Sequence, residues 1–250
     1  MKISNKLKSL LVPKTRVCVL TGAGVSQESG VPTFRDKDGL WQKFRPEELA
    51  SMQAFLANPV LVWEWYEHRR RVIRDVKPNA GHEALVKMES FFADFTLVTQ
   101  NVDGLHRRAG SKNVLEVHGN IMRSYCVDCG DFAAEDFLEN LKAGEKAACS
   151  KCSGLLRPDV VWFGEMLPEK IWEQSQSAAA DCELFFTIGT SAAVYPAASL
   201  PLLARENGAY VVEINPQETG ISQYVDEVLT GPSAVVLPRV MASAGGLRGP

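Results

Sequence analysis

The chain has 250 residues, room for one large domain or for one domain with a smaller companion, which excludes a minimal binding module. Hydrophobic residues make up 46% and charged residues 23%, so the sequence can bury a sizeable core and does not read as disordered. Lys and Arg number 27 against 30 Asp and Glu, a net charge of -3, so there is no overall attraction to nucleic acid or to an anionic membrane and neither is an expected partner.

The first residues carry Lys2, Lys6 and Lys8 but neither an apolar run of signal-peptide length nor a small-residue cleavage site, so export is not expected. From Arg16 the run RVCVL predicts a short strand that stops at TGAG, where glycines permit a tight turn into a helix. This reads as the first βα unit of a nucleotide-binding sheet. A Trp- and Arg-rich helical section follows over 36–77. Further strand-like runs lie at 95–101 (FTLVTQN) and 113–119 (NVLEVHG), and a cysteine-bearing section occupies 120–157. Residues 168–181 and 196–207 fit crossover helices, the second closed by Gly208, interleaved with strand-like runs at 182–190, 209–215 and 226–231. The uncharged stretch 184–204 is long enough for a bilayer, but Thr187, Gly189, Thr190, Ser191, Pro196 and Pro201 make it a buried strand, loop and helix.

This alternation predicts an α/β fold: a Rossmann-like, doubly wound, mostly parallel sheet built from 1–35, 78–119 and 158–241. The helical insertion 36–77 and the insertion 120–157 leave from strand ends and would form a small lobe framing a cleft, because ligands of open α/β sheets bind at the carboxyl ends of the strands. Residues 242–250 read as a flexible tail.

Cys126 and Cys129 are separated from Cys149 and Cys152 by nineteen residues, the spacing of a four-thiolate zinc ribbon. Each CxxC turns two sulfurs toward one tetrahedral centre, and four thiolates leave no open position for water or substrate. One structural Zn2+ per chain is therefore expected. Asp128, Asp131, Glu135, Asp136 and Glu139 crowd the module and would repel phosphate. Paired thiols awaiting metal fit a reducing compartment, hence a cytoplasmic protein. Cys18 and Cys182 lie in apolar strands and read as core residues.

GAGVSQESG begins like a dinucleotide fingerprint at Gly22 and Gly24, but Gln27 stands where the third glycine belongs. No acidic residue closes a second strand, since Asp36 and Asp38 sit in the turn-like FRDKDG, so a hydride-transferring dehydrogenase is disfavoured. His118 falls at a strand's carboxyl end, a place for a base, although a lone histidine there is more often structural. His82 and His106 read as packing or capping residues and His68 as solvated. WEWYEHRRR puts Tyr66 and Arg69 on one helix face, a phenol donor beside a guanidinium fork that together suit a carboxylate. The same pattern equally describes a solvated face on which Arg70, Arg71 and Arg74 pair with Glu67 and Asp75.

The strings GAGVSQESGVPTFRDKDGLW, TQNVDGLHRRAG, EVHG, the two CxxC pairs, VVWFGEMLP, GTSAAVYPA and INP, in that order, resemble the sirtuin family of NAD-dependent protein lysine deacylases over nearly the whole chain. Val31 and Val102 stand where isoleucine is common. The resemblance implies that Gly22, Ala23, Gly24, Ser26, Phe34, Arg35 and Trp41 hold the diphosphate and ribose of NAD. Gln100, Asn101, Val102 and Asp103 would line its nicotinamide side, and Gly189, Thr190, Ser191, Asn215, Pro216, Gln217 and Ser233 its adenosine half. His118 and Asn101 become the catalytic residues, with His118 as the base. Val161, Trp162, Phe163, Gly164 and Glu165 would bind an acyl-lysine peptide or protein largely through main chain.

Tyr66, Arg69 and Ala50 resemble the family's desuccinylase and demalonylase branch, called class III, in which Tyr and Arg read the acyl carboxylate and a small residue leaves room for a longer chain. The expected activity is removal of succinyl, malonyl and also acetyl groups from lysine, giving nicotinamide, 2'-O-acyl-ADP-ribose and free lysine. A plain deacetylase, a protein ADP-ribosyltransferase and a zinc-ribbon binding module are the rival readings.

Overall fold

The computed structural model describes residues 2–32, 46–134, 136–137, 141, 145 and 147–244. Among them eight strands follow one another: β1 (Arg16–Thr21), β2 (Asp94–Thr99), β3 (Val114–Glu116), β4 (Gly119–Cys126), β5 (Leu156–Val160), β6 (Leu184–Ile188), β7 (Tyr210–Asn215) and β8 (Glu227–Thr230). Six of them form one sheet in the order β3-β2-β1-β6-β7-β8, every neighbouring pair parallel. Each of the six strand-like runs in the sequence supplies one of them. Strand order reverses between β1 and β6, which makes that junction the crevice of a doubly wound sheet.

Side chains alternate between the faces, as period-two strands require. Val17, Val19, Phe186, Ile188, Val212 and Ile214 pack on one side with residues of α1 (Asn5–Leu10), α6 (Ala80–Phe91) and α10 (Ser233–Ala242). Cys18, Leu20, Phe185 and Val211 pack on the other with α8 (Glu169–Asp181) and α9 (Leu200–Glu206). Cys18 and Cys182 are buried as expected. The uncharged stretch resolves into β6, a loop, a short 3-10 turn (Ala197–Ser199) and α9. No described helix is long and apolar enough to cross a membrane.

The small lobe has its own core. Within 36–77 lie α3 (Pro46–Leu49), α4 (Met52–Ala57) and α5 (Pro59–Asp75). Asn58 caps α5 by accepting from the Leu61 amide at 3.1 Å, with Pro59 in the first turn, where a missing N–H costs nothing. β4 and β5 pair antiparallel, a hairpin that the sequence did not announce. Phe55, Trp63, Tyr66, Ile121, Cys126, Leu156, Val160 and Trp162 bury one another, so packing carries this lobe past residue 158 to Trp162.

A tryptophan and an arginine fix α5 on the hairpin. Trp63 Nε1 donates to the Leu156 carbonyl at 3.0 Å, and Arg70 Nε donates to the Ile121 carbonyl at 2.7 Å. Arg70 is fully buried with its guanidinium 4.7 Å from the Trp63 ring, not solvated as the charge pattern of the helix implied. Arg74 does pair with Glu67, at 2.9 Å, and His68 is exposed.

Candidate active site

Two glycine turns meet at the crevice. Gly22 and Gly24 follow β1 and Gly189 follows β6; the Gly22 amide donates to the Ile188 carbonyl at 3.0 Å and the Gly24 amide to the Gly189 carbonyl at 2.8 Å. A Cβ on Gly22 or on Gly24 would stand 2.8 Å from the Gly189 carbonyl oxygen, so only glycine permits this approach. α2 (Gly24–Gln27) starts there, and its Ser26 faces the loop after β2.

That loop carries Gln100, Asn101, Val102 and Asp103. Asn101 Nδ2 donates to the Gly22 carbonyl at 3.0 Å and to Ser26 Oγ at 3.2 Å, while Ser26 Oγ donates to Asp103 at 2.7 Å. The Leu105 amide, at the start of α7 (Leu105–Ala109), donates to the second Asp103 oxygen at 2.8 Å. Burial pushes the Asp103 carboxyl up, against the pull of the Leu105 amide and Ser26. Gln100 Nε2 reaches Thr190 Oγ1 at 3.1 Å, and Asn215 Nδ2 reaches the Thr190 carbonyl at 3.2 Å, so the loops after β2, β6 and β7 are tied together.

Ser191 is half-buried beside Thr190, whereas Pro216 and Gln217 are exposed at the end of β7. Ser233 lies after β8 with its hydroxyl already donated to Glu28 at 3.1 Å, the carboxylate that also accepts from the Ala234 amide at the start of α10. Phe34, Arg35 and Trp41 lie outside the described residues.

His118 follows β3 and opens onto the same edge, where its Nδ1 is 3.0 Å from the Gln100 carbonyl. A carbonyl can only accept, so Nδ1 carries the proton and Nε2 keeps its lone pair. Burial lowers the His118 pKa, opposed by the Gln100 bond, so the imidazole is neutral at neutral pH. The other two buried histidines have structural work. His82 Nδ1 accepts from the Asn79 amide at 3.3 Å in the capping box of α6, and His106 Nε2 is 2.9 Å from Thr21 Oγ1. Both match the packing or capping roles read from the sequence.

Across the cleft, Tyr66 and Arg69 share a face of α5. Tyr66 is fully buried and its Oη accepts from Trp162 Nε1 at 2.8 Å. The half-buried Arg69 guanidinium lies 4.9 Å from the Trp65 ring and 5.7 Å from the Tyr66 ring. Burial lowers its pKa, while Tyr66 and Asp103 act to raise it. The Ala50 carbonyl accepts from the Phe163 amide at 3.0 Å, which brings Ala50 to the same place.

The segment 161–165 runs on from β5. The Val161 amide donates to the His118 carbonyl at 3.0 Å, and the Trp162 amide donates to Glu165 at 2.8 Å. Glu165 also grips Arg157 at 2.5 and 2.9 Å, so its carboxylate serves the fold. Phe163 and Gly164 are exposed. The side chain of Trp162, which the sequence reading passed over in favour of its backbone, is buried against Phe55, Arg157 and Tyr66; the one signal for it was an indole set in an otherwise aliphatic strand end.

The four cysteine sulfurs lie within 4.8 Å of one another, with Cys126 to Cys152 at 3.4 Å and Cys129 to Cys149 at 3.8 Å. Thiolates at ~2.3 Å from a tetrahedral zinc stand ~3.8 Å apart, so the set fits the ion. Matching knuckles present them: the Gly130 amide bonds to the Cys126 carbonyl at 3.0 Å and the Ser153 amide to the Cys149 carbonyl at 2.9 Å. Both Gly130 and Ser153 have positive φ.

The profile of the Sir2 family matches residues 22–196, well over half of the chain. The chain belongs to the Sir2 family. An NAD-dependent protein deacylase of Aquifex aeolicus (strain VF5) is 54% identical over 210 residues, covering 84% of this chain and 87% of that protein. That of Pyrococcus furiosus (strain ATCC 43587 / DSM 3638 / JCM 8422 / Vc1) is 46% identical over 239 residues, covering 94% and 96%. Among solved structures, a Sir2 homologue in complex with NAD superposes with a TM-score of 0.89 at 40% identity, covering 97% of this chain and 94% of that one. A Sir2 bound to a p53 peptide and NAD+ gives 0.87 at 31% identity, covering 98% and 99%. This Sir2-family chain is an NAD-dependent protein deacylase with NAD as co-substrate, and its four-cysteine cluster is a structural zinc site.

Proposed function

We propose that this sirtuin removes succinyl and malonyl groups, and also acetyl groups, from lysine side chains of proteins, releasing nicotinamide, 2'-O-acyl-ADP-ribose and free lysine. The observation that carries the preference is the pairing on α5 of a buried phenol with a guanidinium 5.7 Å from its ring. A planar cation beside a neutral donor matches a carboxylate, and in a water-poor cleft that match weighs more than it does at a surface. Ala50, as a small residue, leaves room for a longer acyl chain.

NAD supplies the electrophile, an anomeric carbon that exchanges nicotinamide for the acyl oxygen. In this reading Gly22, Ala23, Gly24 and Ser26, with Phe34, Arg35 and Trp41, hold the diphosphate and ribose, and Gln100, Asn101, Val102 and Asp103 line the nicotinamide side. Gly189, Thr190, Ser191, Asn215, Pro216, Gln217 and Ser233 take the adenosine half. Asn101, anchored on the Gly22 carbonyl and Ser26, fixes the loop that the reacting centre rests on. His118 accepts a ribose proton at Nε2, its ring oriented by the bond from Nδ1 to Gln100.

The peptide adds a strand along 161–165, where Val161, Phe163, Gly164 and Glu165 contact it. Since the Val161, Trp162, Phe163 and Glu165 amides already have partners, the incoming strand uses the carbonyl edge. The same reading divides the chain into an NAD-binding lobe (1–35, 78–119 and 158–241), a small lobe (36–77 and 120–157) and a tail (242–250), and places the enzyme in the cytoplasm, where thiols stay reduced.

The test is a panel of acetyl-, malonyl- and succinyl-lysine peptides incubated with NAD, products weighed by mass spectrometry, with His118→Ala as the turnover blank. Acyl-ADP-ribose is expected from all three. In Arg69→Met the ratio of succinyl to acetyl kcat/KM should fall at least about tenfold, the weight of a charge-assisted hydrogen bond. An unchanged ratio would show that Arg69 does not read the acyl group, and ADP-ribosylated protein in place of acyl-ADP-ribose would replace the reaction class.

A further inference from the structure

We propose that Trp162 sets the direction in which Tyr66 donates its hydroxyl proton, making Trp162 a positioning residue for recognition of a carboxylate at the end of the acyl chain. The inference rests on the acyl preference proposed above.

An indole N–H is a donor only, whereas a phenol has one donor hydrogen and lone pairs to accept with. At 2.8 Å from Trp162 Nε1, Tyr66 Oη is therefore the acceptor, and its own hydrogen must point away from the indole. Both side chains are buried, and no hydrogen bond from Tyr66 to a described residue uses that hydrogen. A buried donor of this kind calls for an acceptor, and a carboxylate offers two oxygens. Arg69 lies beside the same ring, 5.7 Å from its centroid, so both groups serve one end of the site.

Trp162 is itself held rigidly. The Arg157 guanidinium covers its ring at 3.4 Å from the centroid, and Phe55 packs against it at 5.3 Å between centroids. Glu165 clamps Arg157 with both carboxylate oxygens and accepts from the Trp162 amide at 2.8 Å, while Arg157 also donates to the Val160 carbonyl at 2.9 Å. The polarity thus runs one way, from the Glu165 clamp through Arg157 and Trp162 to Tyr66. Without the indole N–H, the phenol loses the constraint on its rotor and the polarisation that an accepted hydrogen bond gives its O–H, so it donates more weakly to the acyl carboxylate. An acetyl group has no terminal acceptor and does not sense the difference.

The measurement is the ratio of succinyl- to acetyl-lysine kcat/KM in the full-length enzyme, for wild type, Trp162→Phe, Tyr66→Phe and the double variant. Trp162→Phe should lower the ratio about fivefold, the weight of one neutral hydrogen bond, with the loss appearing in KM for the succinyl peptide. Tyr66→Phe should lower it comparably, and the double variant no further than the larger single loss, because one interaction is removed twice. Benzothienylalanine at 162, with sulfur in place of the N–H, repeats the test at constant shape should phenylalanine fail to fold. An unchanged ratio, or losses that multiply in the double variant, would overturn the role of Trp162 alone. A wild type that does not desuccinylate would overturn the acyl preference and this inference together.

Discussion

Beneath the candidate site the large lobe carries a directed chain of neutral polar groups, whereas the core of the small lobe holds guanidiniums laid over tryptophan rings. In the first, His106 bonds to Thr21 at 2.9 Å, Thr21 to Thr99 at 2.8 Å, and Thr99 accepts from the Asn101 amide at 3.1 Å, which carries order from beneath the sheet to the Asn101 loop. In the second, Arg70 lies over Trp63 and Arg157 over Trp162, each bonded to carbonyls of the hairpin side. A neutral chain on a parallel sheet is satisfied by neighbours that the sheet itself supplies. Buried guanidiniums are tolerable only while the elements carrying their acceptors are held in place. For α5 the acceptor of the Arg70 guanidinium is the Ile121 carbonyl and that of the Trp63 indole is the Leu156 carbonyl, on strands that the cysteine knuckles bring together.

Removing zinc should therefore break the two lobes apart in behaviour, and this is the largest expected effect. A structural zinc contributes ~10 kcal/mol or more to the fold of a small module. Chelation, or Cys149→Ala, is expected to abolish turnover on every acyl-lysine peptide while much of the far-UV signal of the parallel sheet survives. A metal-free enzyme with undiminished deacylation would show that the knuckles do not hold α5, and the contrast between the lobes would lose its basis.

Acid sharpens the comparison from the other side. Burial holds His82 down to about 4 and His106 to about 3, the latter helped by the neighbouring His82. Their folded values lie below the unfolded value of about 6.5, so the unfolded chain binds more protons as the pH falls. This contribution to stability is complete above about pH 6.5 and is lost progressively as pH drops through the folded values. Denaturant titrations should record a loss of about 1.6 kcal/mol per histidine between pH 6.5 and 5. A flat profile over that interval would mean that neither ring is held neutral by burial. Between about pH 6.5 and 5 the two histidines thus give the large lobe a pH dependence that the buried arginines, charged throughout, do not give the small one.

The same contrast marks what a reader of the sequence can see. The six parallel strands were legible because each is a short apolar run ended by a turn, and Val19 and Leu20 need no partner to declare themselves core. The zinc site was legible because two CxxC pairs have one reading. His82 and His106 were legible by exclusion, as rings inside helical patterns. Arg70 was not, for on a helix bearing Arg69, Arg71 and Arg74 nothing local separates the guanidinium that turns into the core from the half-buried Arg69 or from Arg71 and Arg74, which stay in water; Trp63 and the Ile121 carbonyl decide that, and the hairpin supplies one of them. The β4-β5 hairpin was hidden because its strands meet only through the knuckles between them. Glu165 was read from VVWFGEMLP as a peptide contact through its main chain, which says nothing of its carboxylate; Arg157, eight residues earlier and buried, claims that group.

Arg70→Met should produce the smallest effect, and its size decides how the small lobe's charges are regarded. The variant loses the 2.7 Å bond to the Ile121 carbonyl, worth about 1.5–3 kcal/mol for a charged donor. It also loses an ion pair to Glu67 at 3.5 Å, but Glu67 keeps Arg74 at 2.9 Å. Against these, neither Nη of Arg70 makes a hydrogen bond among the described residues, so methionine relieves a buried cation whose pKa desolvation has already lowered to about 10. Methionine retains the apolar stem over Trp63, and exchanging a buried charge for a well-packed apolar residue is often neutral. The net change in unfolding free energy is expected to stay within about 1 kcal/mol. A loss of about 3–5 kcal/mol, the cost of breaking a productive buried pair, would make Arg70 a support of the small lobe beside the zinc, and the two lobes would then differ in the kind of group they bury but not in whether those groups hold the fold.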